Sequence, residues 1–494
     1  MNKFDIAIIG GGINGCGIAR DAASRGAKVF LCEKGDLASA TSSSSTKLIH
    51  GGLRYLEYYD FRLVHEALKE REILLKNAPH IITPLHFILP HNKNLRPTWM
   101  IRIGLFIYDN LGGKKSLPSS GFINFKNSEY GKPLVSEIRT GFEYSDCLVQ
   151  DSRLVILNAM SAASKGAEIS PRTECISAKR KNNAWQIELL NKKNNQKRVI
   201  EAKILVNASG PWASSILGQQ IEAKKHSLIL SKGSHIVVNK LFDHDSAYIF
   251  QNKDKRIVFA IPFEQDFTLI GTTDVEFSGD PDNASISDEE TEYLCNSVNN
   301  YFKKRISKAD IIWSYSGVRP LAGKGKEKTQ EVSRDYVLDA DGDANNPLLL
   351  NVFGGKITTY RKLAESACEI ISGYYSFNTN SCTENEPLPG GDISNQLYDE
   401  LHSSFNWLPE NLCQRYANSY GSLANKILKN CSKIEDLGKN FGGGLFEAEI
   451  RYLVDEEWAQ TAEDILWRRT KLGLHLSENT VAELAQWLQQ NFPC

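Results

Sequence analysis

Apolar and polar positions fall in blocks that predict a mixed α/β chain. Phe4-Asp5-Ile6-Ala7-Ile8-Ile9 is a short β-branched run, read as a buried strand. Gly15 to Arg25 follows as a helix, with Ala19, Ala22 and Ala23 small enough to pack on a sheet, and Gly26 stops it. Lys28 to Cys32 is a second strand. Phe61 to Ala78 alternates Leu63, Ala67, Leu68 and Leu74 with Glu66, Lys69, Glu70 and Arg71, which predicts an amphipathic helix with a solvated charged face. Leu95 to Tyr108 is more apolar and carries Arg96, Arg102, Trp99, Phe106 and Tyr108, with Lys114 and Lys115 just beyond. That pattern fits a buried packing helix and an interfacial membrane helix equally well.

The remaining pattern divides in the same way. Asp151 to Lys165 reads as a helix. Ile176 to Leu190 and Arg198 to Val206 alternate as strands around the polar turn 191–196. Short β-rich runs from Leu228 to Thr273 predict an antiparallel sheet. A helix is expected from Asp288 to Phe302 with Ser287 as its N-cap. Ile311 to Pro320 and Pro347 to Phe353 are strands, and Thr358 to Ile371 is a helix. Lys324 to Glu331 is a charged loop. Ser376 to Asp392 reads as a linker, and the chain beyond is helical by pattern. Trp407, Trp458, Trp467 and Trp487 are expected in its core. Arg468, Arg469 and Lys471 read as a wet basic face.

Composition narrows the class. The chain has 494 residues, enough for two or three domains, and 41% hydrophobic with 24% charged residues fits a globular protein. Lys+Arg (58) and Asp+Glu (59) nearly cancel, which argues against a nucleic-acid partner. The cysteines show neither CxxC nor zinc spacing, so they read as core filler in a reducing cytosol. The start of the chain lacks a signal-peptide layout, and no apolar run reaches the length of a spanning helix.

The candidate chemistry begins between the first two strands. Gly10-Gly11-Gly12-Ile13-Asn14-Gly15 contains GxGxxG. Gly10 permits the turn, Gly12 lets a pyrophosphate approach the backbone, and Gly15 lets helix and strand pack closely. The free N–H groups of the helix N-terminus then face the phosphates. Glu33, ending the second strand, can accept from both hydroxyls of an adenosine ribose. The hydroxyl-rich run Thr41, Ser42, Ser43, Ser44, Ser45 and Thr46 can meet phosphate and ribityl oxygens, and Lys47 adds charge. His50, Gly51, Gly52, Arg54 and Tyr55 place an imidazole and a guanidinium a few residues on.

These residues resemble a known family. Ile9 to Gly12, Gly15, Gly17, Ala19, Asp21 and Arg25-Gly26 look like the first signature of FAD-dependent glycerol-3-phosphate dehydrogenase, closest to the bacterial aerobic, respiratory enzyme. Gly354-Gly355-Lys356-Ile357-Thr358-Thr359-Tyr360-Arg361-Lys362-Leu363-Ala364 looks like the second, and the similarity runs through Lys47–Tyr55, Asn207–Trp212, Lys232–His235, Gly271–Asp274 and Ser316–Leu321 to the C-terminus. The resemblance implies a D-amino acid oxidase-like α/β fold. A Rossmann-type FAD-binding domain (about 1–80, 140–225 and 335–375) would carry an antiparallel-sheet substrate domain (about 226–334). A linker (376–392) would lead to a helical C-terminal domain (393–494).

It also implies roles. FAD would be held by Gly10, Gly12, Ile13, Asn14, Gly15, Glu33, Thr41, Ser42, Ser44, Ser45, Lys47, Ser209, Gly210, Gly354, Gly355, Lys356, Ile357 and Thr358. Arg54, Tyr55, Arg319 and Lys356 would bind the phosphate of glycerol 3-phosphate. His50 and His235 are the candidate bases, with Arg319 and Lys356 in the catalytic set. Electrons would pass to a membrane quinone from a protein lying peripherally on the cytoplasmic face of the inner membrane, or free in the cytoplasm, with a homodimer among the assemblies allowed. The residues leave open an oxidase that uses oxygen, and an amine- or amino-acid-oxidising or non-catalytic flavoprotein on the same scaffold.

Overall fold

The computed structural model describes residues 2–91, 96–113, 116–223, 228–254, 256–321, 335–343, 345–394 and 396–492. Lys114, Lys115 and the 324–331 loop lie outside the described residues, as does Leu95.

The first sheet is built on β1 (Asn2–Ile9). It pairs in parallel with β2 (Val29–Cys32) on one side and with the Lys197–Asn207 strand on the other. Glu168–Ser170 extends the sheet in parallel beyond β2, and Asn346–Gly354 extends it in parallel beyond Lys197–Asn207. Parallel strands covered on both faces read as near-continuous apolar runs, which is why β1 and β2 were legible. Helix α1 (Ile13–Ser24) connects β1 to β2 and packs against the Asp151–Ser164 and Tyr360–Ile371 helices. Gly17 makes that approach possible, because a Cβ there would lie 2.8 Å from the Tyr360 ring.

The second sheet is larger and mostly antiparallel. Its spine runs Ile229–Asn239, Phe267–Gly271, Ile257–Phe263, Ala247–Gln251, Ile82–His91 and Thr140–Val149. The Ile311–Leu321 strand pairs along Ile229–Asn239. The expected N-cap is present: the Ser287 hydroxyl accepts from the Glu290 N–H, and the Glu290 carboxylate accepts from the Ser287 N–H. From Leu397 onward, helices share an apolar core of their own that includes Leu412, Tyr416, Leu453 and Leu466.

Two expectations change, and a third segment gains detail. The stretch from Ile176 to Leu190 is not continuous: Thr173–Lys181 and Ala184–Asn191 form a hairpin turned by Asn182 and Asn183, both at positive φ. Asn tolerates that conformation, and the Asn-Asn pair was the overlooked signal. Arg468, Arg469 and Lys471 are not a wet face. Arg469 is 1% exposed and Arg468 is 8% exposed, and both are tied to Asp36. The Ser376–Asp392 segment has no regular structure but is bonded down: Arg20 donates to the Glu386 carbonyl, and Asn77 donates to the Thr383 and Glu384 carbonyls.

Helix α2 (Phe61–Asn77) is followed by helix α3 (Thr98–Leu111), which buries one face and exposes the other. Ile101, Leu105 and Tyr108 are buried, while Trp99 is 62% and Phe106 is 68% exposed. Trp99, Met100, Ile103 and Phe106 form an outward apolar face, and Tyr58, Tyr59, Phe61 and Phe122 are exposed as well. Tyr108 does not face outward with Trp99 and Phe106. Its hydroxyl donates to the Asp146 carboxylate and accepts from the Gly51 N–H, which draws the ring inward. No helix among the described residues is long and apolar enough to cross a membrane.

Candidate active site

A cavity of about 1250 Å³ lies between the two sheets. One end is the turn after β1. Gly10 sits at φ +115°, and a Cβ there would meet the Ala208 carbonyl oxygen at 2.4 Å, so the turn excludes side chains. A Cβ on Gly15 would fall 1.9 Å from the Gly10 carbonyl oxygen. Gly12, Ile13 and Asn14 line the cavity, and the Ser42 hydroxyl accepts from the Ile13 N–H at 3.0 Å. The Glu33 carboxylate accepts from the Gly11 N–H and the Gly35 N–H, both at 2.8 Å. Burial raises the Glu33 pKa from its ordinary value, and those two N–H groups oppose the rise.

Thr41, Ser42, Ser44, Ser45 and Thr46 form one wall. Lys47 does not join them. Its ammonium is buried, paired with Asp151 at 2.9 Å and bonded to the Ser43 carbonyl. The hydroxyl run is thus fixed from behind by an internal charge pair. Ala208 and Gly210 also line the cavity, while the Ser209 hydroxyl turns to Asn207.

The other wall carries the charge. Gly354, Gly355, Lys356, Ile357 and Thr358 approach from the second signature, and Arg54, Tyr55 and Arg319 stand in the same cavity. Lys356 Nζ is buried without a hydrogen-bond partner and lies 3.6 Å from the centroid of the Tyr55 ring. Burial lowers its pKa, and Tyr55 opposes the shift. Arg54 donates to the Tyr58 hydroxyl at 3.1 Å. Arg319 donates to Thr272 Oγ1 at 3.4 Å and stands 4.0 Å from Asp274. Thr272 and Asp274 belong to the Gly271–Asp274 run of the family resemblance, which gave them no role of their own.

The two imidazoles separate. His50 lines the cavity, and its backbone N–H donates to Thr358 Oγ1 at 3.2 Å. The next peptide is held by Tyr108, whose hydroxyl accepts from the Gly51 N–H at 2.8 Å. Burial, then the Lys356 and Arg71 charges, push His50 down to about 4, so its ring is neutral at physiological pH. His235 is fully buried, stacked on Tyr315 at 4.8 Å, with Nε2 3.0 Å from Thr46 Oγ1. It supports the wall and stands behind it.

The residues fit a dinucleotide that ends in a flavin. Asn14 Oδ1 and Lys356 Nζ are buried polar atoms without partners, on residues at the two glycine-rich approaches. Buried polar atoms require partners, and a long polar ligand along this cavity supplies them. Fold and cavity together define a dinucleotide-binding oxidoreductase of the flavoprotein class. The sequence pattern of the family described as FAD dependent oxidoreductase matches residues 5–361, and that described as C-terminal domain of alpha-glycerophosphate oxidase matches residues 381–492.

The particular family follows from full-length relatives. The chain is 50% identical to a glycerol-3-phosphate dehydrogenase of Pseudomonas aeruginosa, over 99% of this chain and 96% of that one. It is 49% identical to the aerobic glycerol-3-phosphate dehydrogenase of Escherichia coli, over 99% and 98%. A D-erythritol 1-phosphate dehydrogenase of Brucella abortus is 48% identical over 98% and 97%. The solved glycerol-3-phosphate dehydrogenase from Bacillus halodurans, complexed with FAD, superposes with a TM-score of 0.79 at 27% identity, over 99% and 91%. This chain belongs to the FAD-dependent glycerol-3-phosphate dehydrogenase family.

Proposed function

We propose that the chain oxidises sn-glycerol 3-phosphate to dihydroxyacetone phosphate and passes the electrons to a membrane quinone. The observation that carries the substrate reading is the convergence of Arg54, Arg319 and Lys356 with neutral His50 on one cavity. A phosphate dianion needs compensating cations, and guanidinium forks match its oxygens. Lys356, buried over the Tyr55 ring, is the amine the dianion would satisfy. Thr272 and Asp274 hold Arg319 in place for it.

FAD supplies the two-electron acceptor. Gly12, Ile13 and Asn14 would admit its pyrophosphate, Glu33 its adenosine ribose, and the Thr41–Thr46 wall its ribityl chain. Gly354 to Thr358 would meet the flavin end. The substrate C2 gives up a hydride and its hydroxyl a proton. His50 takes the proton on a ring nitrogen, because its peptide is pinned by Thr358 and Tyr108 and its ring is unprotonated. The arriving dianion offsets the Lys356 charge and raises the His50 pKa, which strengthens the base when it is needed.

The outward apolar face of α3 supports a membrane acceptor. Met100, Ile103 and Gly104 also line the cavity, so the apolar surface and the cavity share one helix. An aromatic and apolar face of this kind suits the interfacial plane. A longer polyol phosphate is the second reading, favoured by the Brucella abortus relative. The test is anaerobic bleaching of bound flavin by glycerol 3-phosphate, erythritol 1-phosphate and amino acids. Fastest bleaching by glycerol 3-phosphate supports the proposal, and faster bleaching by the four-carbon phosphate replaces the substrate. Bleaching by amino acids alone removes the reading, and stoichiometric peroxide release in air favours an oxidase.

A further inference from the structure

The helical C-terminal unit grips the Asp36 carboxylate, close to the end of β2. Asp36 is 3% exposed and follows Glu33 by three residues. Its Oδ2 accepts from Arg468 Nε at 2.6 Å and from Arg469 Nη1 at 2.7 Å, and its Oδ1 accepts from Arg469 Nη2 at 3.0 Å. Both arginines sit in a π-helical turn, Asp464–Arg469. Turns of this kind often accompany function. Each arginine is also anchored within its own unit: Arg468 to Asp464 at 2.6 Å and Arg469 to the Glu457 carbonyl at 2.6 Å.

A second tie reaches the same loop. Arg172 pairs with Asp464 at 2.6 Å, and its backbone N–H donates to the Gly35 carbonyl at 2.7 Å. The loop between these ties presents the Gly35 N–H to Glu33. It also joins the glycine turn, since the Ala38 N–H donates to the Gly11 carbonyl at 3.0 Å and the Gly11 N–H donates to Glu33. Hydrogen bonds therefore join the Asp36 loop, Gly35, Glu33 and Gly11 into one connected piece, with its outer end held from the C-terminal unit.

We infer that the Asp464–Arg469 turn is a cofactor-retention latch: through Asp36 and Arg172 it positions Glu33 for the adenosine ribose of FAD. This rests on the assignment of Glu33 to that ribose. The arginines are positioning residues that act through the loop. A carboxylate buried against two guanidinium groups holds the loop only while both sides are charged, so removing one charge releases it.

The experiment is flavin release from the full-length holoenzyme, followed by the rise in free-flavin fluorescence after dilution, with FAD affinity from reconstitution of apoprotein. Asp36→Asn should speed release about tenfold or more, the effect of losing a charged hydrogen bond. With excess FAD, kcat and the substrate KM should stay within about twofold, since the substrate wall is untouched. Glu449→Gln is the control. It breaks the Arg415–Glu449 pair inside the C-terminal unit, so it should lower Tm yet leave release unchanged. Arg468→Gln, on the less buried arginine, repeats the test if Asp36→Asn folds poorly.

Release at the wild-type rate in both latch variants overturns the inference, as does equal acceleration in the Glu449→Gln control. Glu33→Gln separates the two layers. If it leaves FAD affinity unchanged, the ribose assignment fails. If it weakens binding and Asp36→Asn adds nothing further, the latch acts through Glu33; full additivity of the two overturns that route.

Discussion

Single side chains carry the sharpest expectations. Arg54→Ala and Arg319→Ala should each lower kcat/KM by roughly two to three decades, since losing one partner of a desolvated charge pair costs about 3–5 kcal/mol. Steady-state kinetics on glycerol 3-phosphate checks this, and a change under threefold would remove that arginine from the phosphate site. The His50 base sets the acid limb of the pH profile. Its ring loses base function when protonated, so kcat/KM should fall only as pH drops toward about 4. The limb in kcat should lie higher, because the bound dianion stabilises the imidazolium. Coincident limbs, or a wild-type rate in His50→Asn, would place the base elsewhere. At this scale the sequence was legible where chemistry is local: Gly12, Asn14, Ser42, Arg54 and Lys356 all reach the cavity lining. Lys47 and His235 read as equally polar, yet the fold turns one into Asp151 and stacks the other on Tyr315. Composition cannot report which way a side chain points.

Secondary elements make two further tests. A Cβ at Gly15 would overlap the Gly10 carbonyl, so Gly15→Ala should force α1 off β1 at a cost of about 1–3 kcal/mol. The purified variant should show a lower flavin-to-protein absorbance ratio than wild type, and a normal ratio would refute the close-packing account. For α3, Trp99→Ser with Phe106→Ser removes the most exposed apolar side chains and leaves the cavity lining intact. Liposome binding and quinone reduction should fall together, while reduction of a soluble dye stays near wild type. Retained liposome binding would exclude this face as the membrane surface. The periodicity of α3 showed an apolar helix but not its two uses. Tyr108 faces inward because Asp146 and Gly51 offer its hydroxyl partners, and those lie far away in sequence. The hairpin turn at Asn182-Asn183 was local and could have been read; the π-helical turn at Asp464–Arg469 had no pattern of its own.

At the scale of the molecule, buried imidazoles link stability to pH. Burial, with the Lys356 and Arg71 charges, holds His50 at about 4, and burial beside Arg153 holds His80 at about 3. Burial, with Arg319 and Lys47, also puts His235 well below its ordinary 6.5. In the unfolded chain these groups bind protons near 6.5, so their stability contribution is full above that value and declines as pH falls toward about 4. Asp464 acts in the same direction lower down. Burial alone would raise it, but the Gln460 N–H and the Arg172 and Arg468 charges hold it at about 2. Holoenzyme Tm should therefore drop steadily from pH 7 to pH 5, with a shallower slope in His80→Gln, and a flat profile would contradict the buried neutral rings. What the sequence determined by itself was the glycine turn, the β1–α1–β2 order and the acidic end of β2. Each depends on steric and hydrogen-bonding preferences within a few residues. Tertiary structure alone decided the rest: Lys356 over Tyr55, Arg319 on Thr272, and Asp36 under Arg468 and Arg469. Those pairings join segments from 47 to 433 residues apart, and only the closing of the sheets and helices brings them together.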